Sequence, residues 1–423
     1  MHVLFTATLG VLGFMTAGSV LYLLGLLLAA ARSRRADSPI SEENVSFAVV
    51  IPAHDEELVL ASTLESLGGQ CYPPDRYEVV VVADNCTDAT TSIARAHGAT
   101  VLERSHATER GKGHALQWAL TRLLARPRPV DAFVIVDADT RVAPDFLAQM
   151  AARLAAQTDA RGMAALQGRY GVLNPGEGWR AALMAAAFDL FNHVKPLGRE
   201  RLGLGVGLKG NGMAFTRALL QAAPWRGDSL TEDIDYALDL ARYHGVRVGY
   251  VPEAVVRAQM PTTARQAASQ RARWEGGRYQ LLRERALPLL AEGLRRRSRL
   301  LCDAALDLVL PPLAELGALL ALWATGIALG ARLGLLTHPP AWAAAAGLTA
   351  LGLLAYVLGG LRVAHAPRAA YLALLCAPCY AGWKFCLYGA GLLRRRRSPA
   401  EWVRTARAPL PPSATPASEG ETL

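Results

Sequence analysis

From Val3 to Ala31 the sequence carries no charged side chain. An α-helix needs about 20 apolar residues to cross a bilayer, so this run exceeds the requirement. It is also too long for the apolar core of a signal peptide, and no Lys or Arg precedes it. Residues 3–31 are therefore expected to form a transmembrane helix. Basic residues follow it, at Arg32, Arg34 and Arg35. The positive-inside bias then puts the N-terminus outside and the next domain in the cytoplasm.

The remaining apolar excess lies near the other end. A second span is expected over 313–336, introduced by Pro311-Pro312, and a third over 342–363. The connection 337–341 contains no Lys or Arg, as an outside loop should. Asp303 and Asp307 precede the break, so 300–310 reads as an interfacial helix. The segment 371–393 contains Pro378 and Lys384 and has arginines on both flanks. Keeping both flanks inside makes it interfacial or re-entrant, and crossing would put Arg394–Arg397 outside. The tail 408–423 reads as disordered.

Composition narrows the class. With 52% hydrophobic and 19% charged residues the chain is no disordered polymer, and six cysteines in 423 residues make no disulfide-stapled module. Cys376 and Cys379 lie in an apolar segment with no second pair at metal spacing, so neither zinc nor redox chemistry is read there. The net charge of +9 comes largely from arginine clusters abutting the apolar runs. These are topology signals and contacts to anionic membrane lipids, and no nucleic-acid partner is inferred from them.

Residues 45–300 are expected to form one cytoplasmic α/β domain. The near-continuous apolar runs 45–51, 77–83, 100–103 and 132–136 alternate with helical spacing at Leu60, Leu64 and Leu67, at 92–97 and at 112–125. That order predicts a β-α-β-α-β succession with a mostly parallel, buried sheet. Carboxylates stand at the strand ends: Asp55, Asp84, and Asp137 with Asp139. Open α/β sheets bind ligands outside those ends. Each acid singly could be a helix cap; together they suit a shared site for a cation, or for a ribose and base.

Four local patterns carry chemistry. Asp137-Ala138-Asp139 offers two hard oxygen donors one residue apart, suited to Mg2+ or Mn2+ bridging phosphate oxygens. Gly111-Lys112-Gly113 opens a helix where backbone amides and one ammonium can meet a diphosphate, although it is not a Walker loop. Thr231-Glu232-Asp233 starts another helix, capped by Ser229 or Thr231, and puts Asp233 in a first turn that suits a general base. Gln270-x-x-Arg273-Trp274 combines a phosphate-binding fork with a flat face for a sugar ring. An amphipathic helix on anionic lipid would account for its charge alone.

The order Pro52-Ala-His-Asp55-Glu-Glu57, Val82-Ala-Asp84-Asn-Cys-Thr-Asp88, Gly111-Lys-Gly113, Asp137-Ala-Asp139, Lys209-Gly210-Asn-Gly212-Met-Ala-Phe215, Thr231-Glu232-Asp233 and Gln270-x-x-Arg-Trp274 resembles the membrane-embedded family 2 glycosyltransferases. Cellulose, chitin, hyaluronan and poly-N-acetylglucosamine synthases and ceramide glucosyltransferase belong to that family. The resemblance runs over about 3–403. It implies a GT-A-type (Rossmann-like) cytoplasmic domain in a bacterial inner or plasma membrane, using a UDP-sugar donor and Mg2+ or Mn2+. Asp55, Glu57, Asp84, Lys112 and Asp137 would bind the nucleotide sugar, with Asp84 on the uracil and Lys112 near the diphosphate. Asp139 would be the more direct metal ligand, with Asp137 beside it. Asp233 would be the base. Gln270, Arg273, Trp274, Gly210, Gly212 and Glu232 would serve diphosphate and acceptor. Asp55 departs from the family, which often has asparagine there.

The expected reaction is inverting transfer of a hexosyl or N-acetylhexosaminyl unit in cell-envelope or extracellular polysaccharide synthesis. Transfer of a single sugar to a lipid acceptor is the alternative, favoured by the low span count; extrusion of a polymer would call for an oligomer or a secretion partner. A non-catalytic membrane scaffold is the remote alternative.

Overall fold

The computed structural model describes residues 2–32, 45–229, 231–261 and 263–393, without the side chains of 264–273, 385 and 387–393. The tail expected over 408–423 lies outside the described residues. The chain forms two compact units.

One unit holds the described parts of Ala36–Asn174 and Gly207–Gly277. Its strands are β1 (Phe47–Ala53), β2 (Tyr77–Asp84), β3 (Thr100–Arg104), β4 (Ala132–Ile135), β5 (Thr140–Val142), β6 (Ala165–Val172), β7 (Met213–Thr216) and β8 (Val248–Ala258). Among the described residues they make one eight-stranded sheet in the order β3-β2-β1-β4-β7-β6-β8-β5. The first four strands run parallel, as do β6 and β8, while β7 is antiparallel to both β4 and β6. Phe47 to Ile51 and Ala132 to Ile135 are fully buried, as continuous apolar runs in a doubly covered sheet must be.

The expected β-α-β-α-β succession is present, with α2 (Leu60–Gly68), α3 (Thr90–Ala96) and α4 (Lys112–Leu124) as connections; α5 (Phe146–Gln157) lies between β5 and β6, and α8 (Arg217–Ala222) follows β7. α2 turns Leu60, Leu64 and Leu67 into the core. The second half of the sheet has no such signature in the sequence. β5 and β7 hold three and four residues, too few for a period to emerge. β8 contains Pro252, and its pairing with β6 shifts register between Gly168 and Arg169.

The other unit holds the described parts of Met1–Arg35, Pro175–Val206 and Arg278–Pro399. The compact units thus do not follow the 45–300 span. Residues 175–206, with α6 (Trp179–Phe188), a π-helical stretch Asp189–Val194 and α7 (Lys195–Arg201), group with the apolar helices. So does the part of α10 (Ala264–Arg296) from Arg278 onward.

Among the described residues, three helices are long and apolar enough to cross a membrane: α1 (His2–Ala31), α12 (Leu313–Arg332) and α13 (Pro339–Val363). Two expected boundaries move. α12 ends at Arg332, not 336, because Gly334 takes φ +65° and the Leu335 amide turns back to the Gly330 carbonyl. α13 starts at Pro339, not 342, because proline suits the first helical position. The segment expected over 371–393 is not one helix: α14 (Arg368–Ala373) and a 3-10 turn at Leu374–Cys376 precede α15 (Ala377–Leu393). Lys384, which disturbed that run as a sequence, pairs with Glu315 in the first turn of α12 at 3.1 Å.

α11 (Arg299–Val309) follows the chain where an interfacial helix was expected. Its two acids, buried Asp303 and half-buried Asp307, join an ion group. Asp303 pairs with Arg199 and accepts from the Tyr22 hydroxyl at 2.8 Å, and Asp307 pairs with Lys195 and with Arg199 at 2.7 Å. α1 and α7 come close at Gly198, where an added Cβ would lie 2.2 Å from the Leu26 carbonyl oxygen.

Candidate active site

The site lies beyond the carboxyl ends of β1, β2 and β4. β4 hands the chain to Asp137-Ala138-Asp139. The Asp137 amide donates to Asn211 Oδ1 at 3.1 Å, and Asn211 Nδ2 donates to Thr140 Oγ1 at 2.8 Å. Fully buried Asn211 thereby clamps the acidic turn from the Lys209–Phe215 segment. Gln167 fixes that segment in turn, accepting from the Lys209 amide at 2.8 Å and donating to the Asn211 carbonyl at 2.8 Å.

Lys112 begins α4 and reaches both Asp137 Oδ1 and the Gly210 carbonyl. Burial works against its ammonium, but Asp137, Glu232 and Asp233 outweigh the penalty and hold its pKa above the ordinary lysine value. Gly210 takes φ +78°, and a Cβ there would lie 3.3 Å from Asp233 Oδ2 and 3.6 Å from Lys112 Nζ. Lys112, Asp137, Gly210 and Asp233, four residues drawn from separate motifs, are thus neighbours. Glu232 acts on Lys112 from the same helix start.

Asp233 lies in the first turn of α9 (Glu232–Asp239). Burial raises its pKa above the ordinary carboxylate value, against the opposing charges of Lys112 and Lys209. The expected side-chain cap is not formed. Thr231 makes no capping bond, and its amide donates to Ser229 Oγ at 3.4 Å. Thr231 instead packs on α10: a Cβ at Gly277 would lie 2.5 Å from Thr231 Cγ2. Trp274, half-buried, stands one turn before Gly277. The side chains of Gln270 and Arg273 lie outside the described residues.

Loop contacts occupy the nucleotide-side acids. Asp84 is buried and pairs with Arg104 at 2.7 Å. Asp55, at φ +54°, accepts from the Thr87 amide at 2.7 Å, and Glu57 accepts from the Ala89 amide at 3.1 Å. Asp88 returns the contact, accepting from the Glu57 amide at 3.1 Å and from the Thr90 amide at 2.9 Å. Asp55, Glu57 and Asp88 thus staple the loop after β1 to the loop after β2. Asp55, Cys86 and Asp88 have oxygen and sulfur atoms within 4.8 Å of one another. Burial pushes the Cys86 thiol up to about 11, so it is no ready thiolate ligand.

Asp139 is buried and Asp137 partly exposed. Their carboxylates fit a hard divalent cation that takes its other oxygens from phosphate and water. Gly212, expected by the acceptor, sits against Val256 of β8, where a Cβ would lie 2.7 Å from Val256 Cγ2; its place is packing within the sheet. Sequence reasoning missed the roles of Arg104, Asn211 and Gln167, whose partners here are distant in the chain: Asp84 for Arg104, Asp137 and Thr140 for Asn211, and Lys209 for Gln167.

A sheet of this order with a lysine and three carboxylates gathered at its strand ends is the arrangement of a GT-A-type glycosyltransferase. The chain belongs to the glycosyltransferase-like family 2, whose profile matches residues 44–277. It is similar to the beta-monoglucosyldiacylglycerol synthase of Synechocystis, 28% identical over 65% of this chain and 57% of that protein. It is also similar to a probable glycosyltransferase, YdaM, of Bacillus subtilis, 25% identical over 60% of each chain. These matches span less than two thirds of either relative. Among solved structures, the mannosyltransferase PcManGT from Pyrobaculum calidifontis, in complex with GDP-Man and Mn2+, shares the fold. Its TM-score is 0.53 at 22% identity, over 83% of this chain and 98% of that one.

Proposed function

We propose that this enzyme transfers one hexosyl or N-acetylhexosaminyl unit from a UDP-sugar to a lipid acceptor, with inversion at the anomeric carbon. The observation that carries the reading is the placing of the Lys112 ammonium between Asp137 and the Gly210 carbonyl, beside Asp233. A fixed cation next to a half-buried carboxylate suits a reaction in which one group loses a proton while another gains negative charge.

Asp233 accepts the proton of the acceptor hydroxyl as that oxygen attacks the anomeric carbon. Its raised pKa makes it a stronger base than an ordinary carboxylate. Lys112 meets the charge that develops on the departing nucleoside diphosphate. Asp137 and Asp139 would hold Mg2+ or Mn2+, which when bound neutralises diphosphate charge. A single displacement with one base turns an α-linked donor into a β-glycoside. The lipid acceptor is supported by the three membrane-crossing candidates and by the glycolipid synthase among the relatives. Synthesis of an envelope polysaccharide is the second reading, favoured by Gln270-x-x-Arg273-Trp274.

The test is to incubate membranes carrying the enzyme with radiolabelled UDP-sugars and GDP-mannose in turn. Label in a single-sugar lipid supports the proposal. A ladder or high-mass product would replace the lipid acceptor by a growing polymer, and transfer from GDP-mannose alone would replace the donor.

A further inference from the structure

We propose that Arg104 is a positioning residue for the diphosphate end of the site, setting where Lys112 meets the donor. The inference rests on the reading above, since it concerns how the same site holds its nucleotide.

Arg104 closes β3, and its side chain is only 4% exposed. Its guanidinium joins the buried Asp84 to the turn at Glu109. Nη1 donates to Asp84 Oδ1 at 2.7 Å and to the Glu109 carbonyl at 2.7 Å, and Nη2 donates to Glu109 Oε2 at 3.3 Å. The same turn is tied twice more. The His106 amide donates to Asn85 Oδ1 at 2.9 Å, and the Glu109 amide donates to His106 Nδ1 at 2.9 Å. The Gly111 amide then donates to Asp84 Oδ2 at 3.4 Å. Gly111 has φ +103°, and the next residue is Lys112.

These contacts form one path. The strand-end acid Asp84 holds Arg104, Arg104 holds Glu109, and Asp84 also holds Gly111. The 105–111 connector is thereby closed onto a buried ion pair, and its exit direction starts α4. Both oxygens of Asp84 are committed: Oδ1 to Arg104 and to Asn85 Nδ2 at 3.1 Å, Oδ2 to Gly111. Asp84 would therefore meet a nucleobase as half of an ion pair, with Oδ1 shared with Arg104. Lysine cannot replace Arg104 without loss, because the fork that reaches Asp84 and Glu109 together requires a guanidinium.

The test uses the full-length enzyme in detergent, with Arg104→Lys as the main variant. The charge-free pair Arg104→Met with Asp84→Asn serves if the single variant does not fold. UDP and GDP binding is measured by calorimetry, thermal unfolding is followed, and donor KM and kcat are obtained with the active UDP-sugar. Arg104→Lys is expected to weaken UDP binding and raise donor KM by about tenfold, the size of a lost charge-assisted contact, with kcat and the unfolding temperature little changed. Lys112→Met is expected to mask most of that loss, because Arg104 acts through Lys112. Wild-type UDP binding and KM in Arg104→Lys, or a fall in kcat that only tracks lost stability, would overturn the inference while wild-type transfer left the function standing. A wild type that binds neither UDP nor GDP would overturn both.

Discussion

Asp233 and Lys112 pull on each other's proton, and activity should report that balance. Burial raises the Asp233 pKa, and Lys112 and Lys209 oppose it. The base must be ionised, so activity is present above that pKa and lost as pH falls through it. The acid limb of the kcat profile is therefore expected above the ordinary carboxylate range, and Lys112→Met should move it further up; a pH-rate series checks both. Asp233→Asn is expected to lower kcat by about 10²–10⁴ while UDP binding persists, as measured by turnover and calorimetry. At this scale the sequence was informative about which residues matter. Asp137, Lys112, Gly210 and Asp233 could each be named from a motif, because the chemistry needs those residue types. The clamping roles of Arg104 and Asn211 could not, because a clamp is defined by its partner, and Asp84 lies 20 residues from Arg104 while Asp137 lies 74 from Asn211.

Elements decide how closely those residues meet. The start of α4 touches the loop ahead of α9 backbone to backbone: a Cβ at Gly227 would lie 2.5 Å from the Gly113 carbonyl carbon, and the Gly227 amide donates to Gln117 Oε1 at 2.9 Å. Only hydrogen fits there. Gly227→Ala is expected to cost about 1–3 kcal/mol of stability, as overpacking does, and to lower kcat by parting Lys112 from Asp233; thermal unfolding and turnover test the two effects. The parallel half of the sheet was legible, since buried parallel strands read as unbroken apolar runs between helical periods. The antiparallel half was not, since β5, β7 and the interrupted β8 satisfy their backbones with strands far away in the chain.

At the scale of the whole molecule, the unit built on α1, α12 and α13 contains charge as well as apolar surface. Asp303 and Arg199 are 5% and 2% exposed, and Tyr22 and Asp307 complete their group. Removing one member strands the others, so Asp303→Leu is expected to destabilise by about 3–5 kcal/mol, read as a lower unfolding temperature in detergent. The positive-inside bias predicts an outside N-terminus; a cysteine introduced at position 2 is then expected to react with an impermeant maleimide in intact cells, and protection there would reverse the orientation. By itself the sequence determined that the chain has spans long enough for a bilayer, a parallel α/β core and an ordered set of acidic and glycine motifs, because hydrophobic length, periodicity and residue chemistry are local properties. Only the tertiary structure decided that 175–206 packs with the apolar helices, that Asp303 and Asp307 pair with Arg199 and Lys195, and that four motifs converge on one ammonium. Those outcomes depend on which distant groups satisfy one another's charge and hydrogen bonds, and a linear pattern does not carry that information.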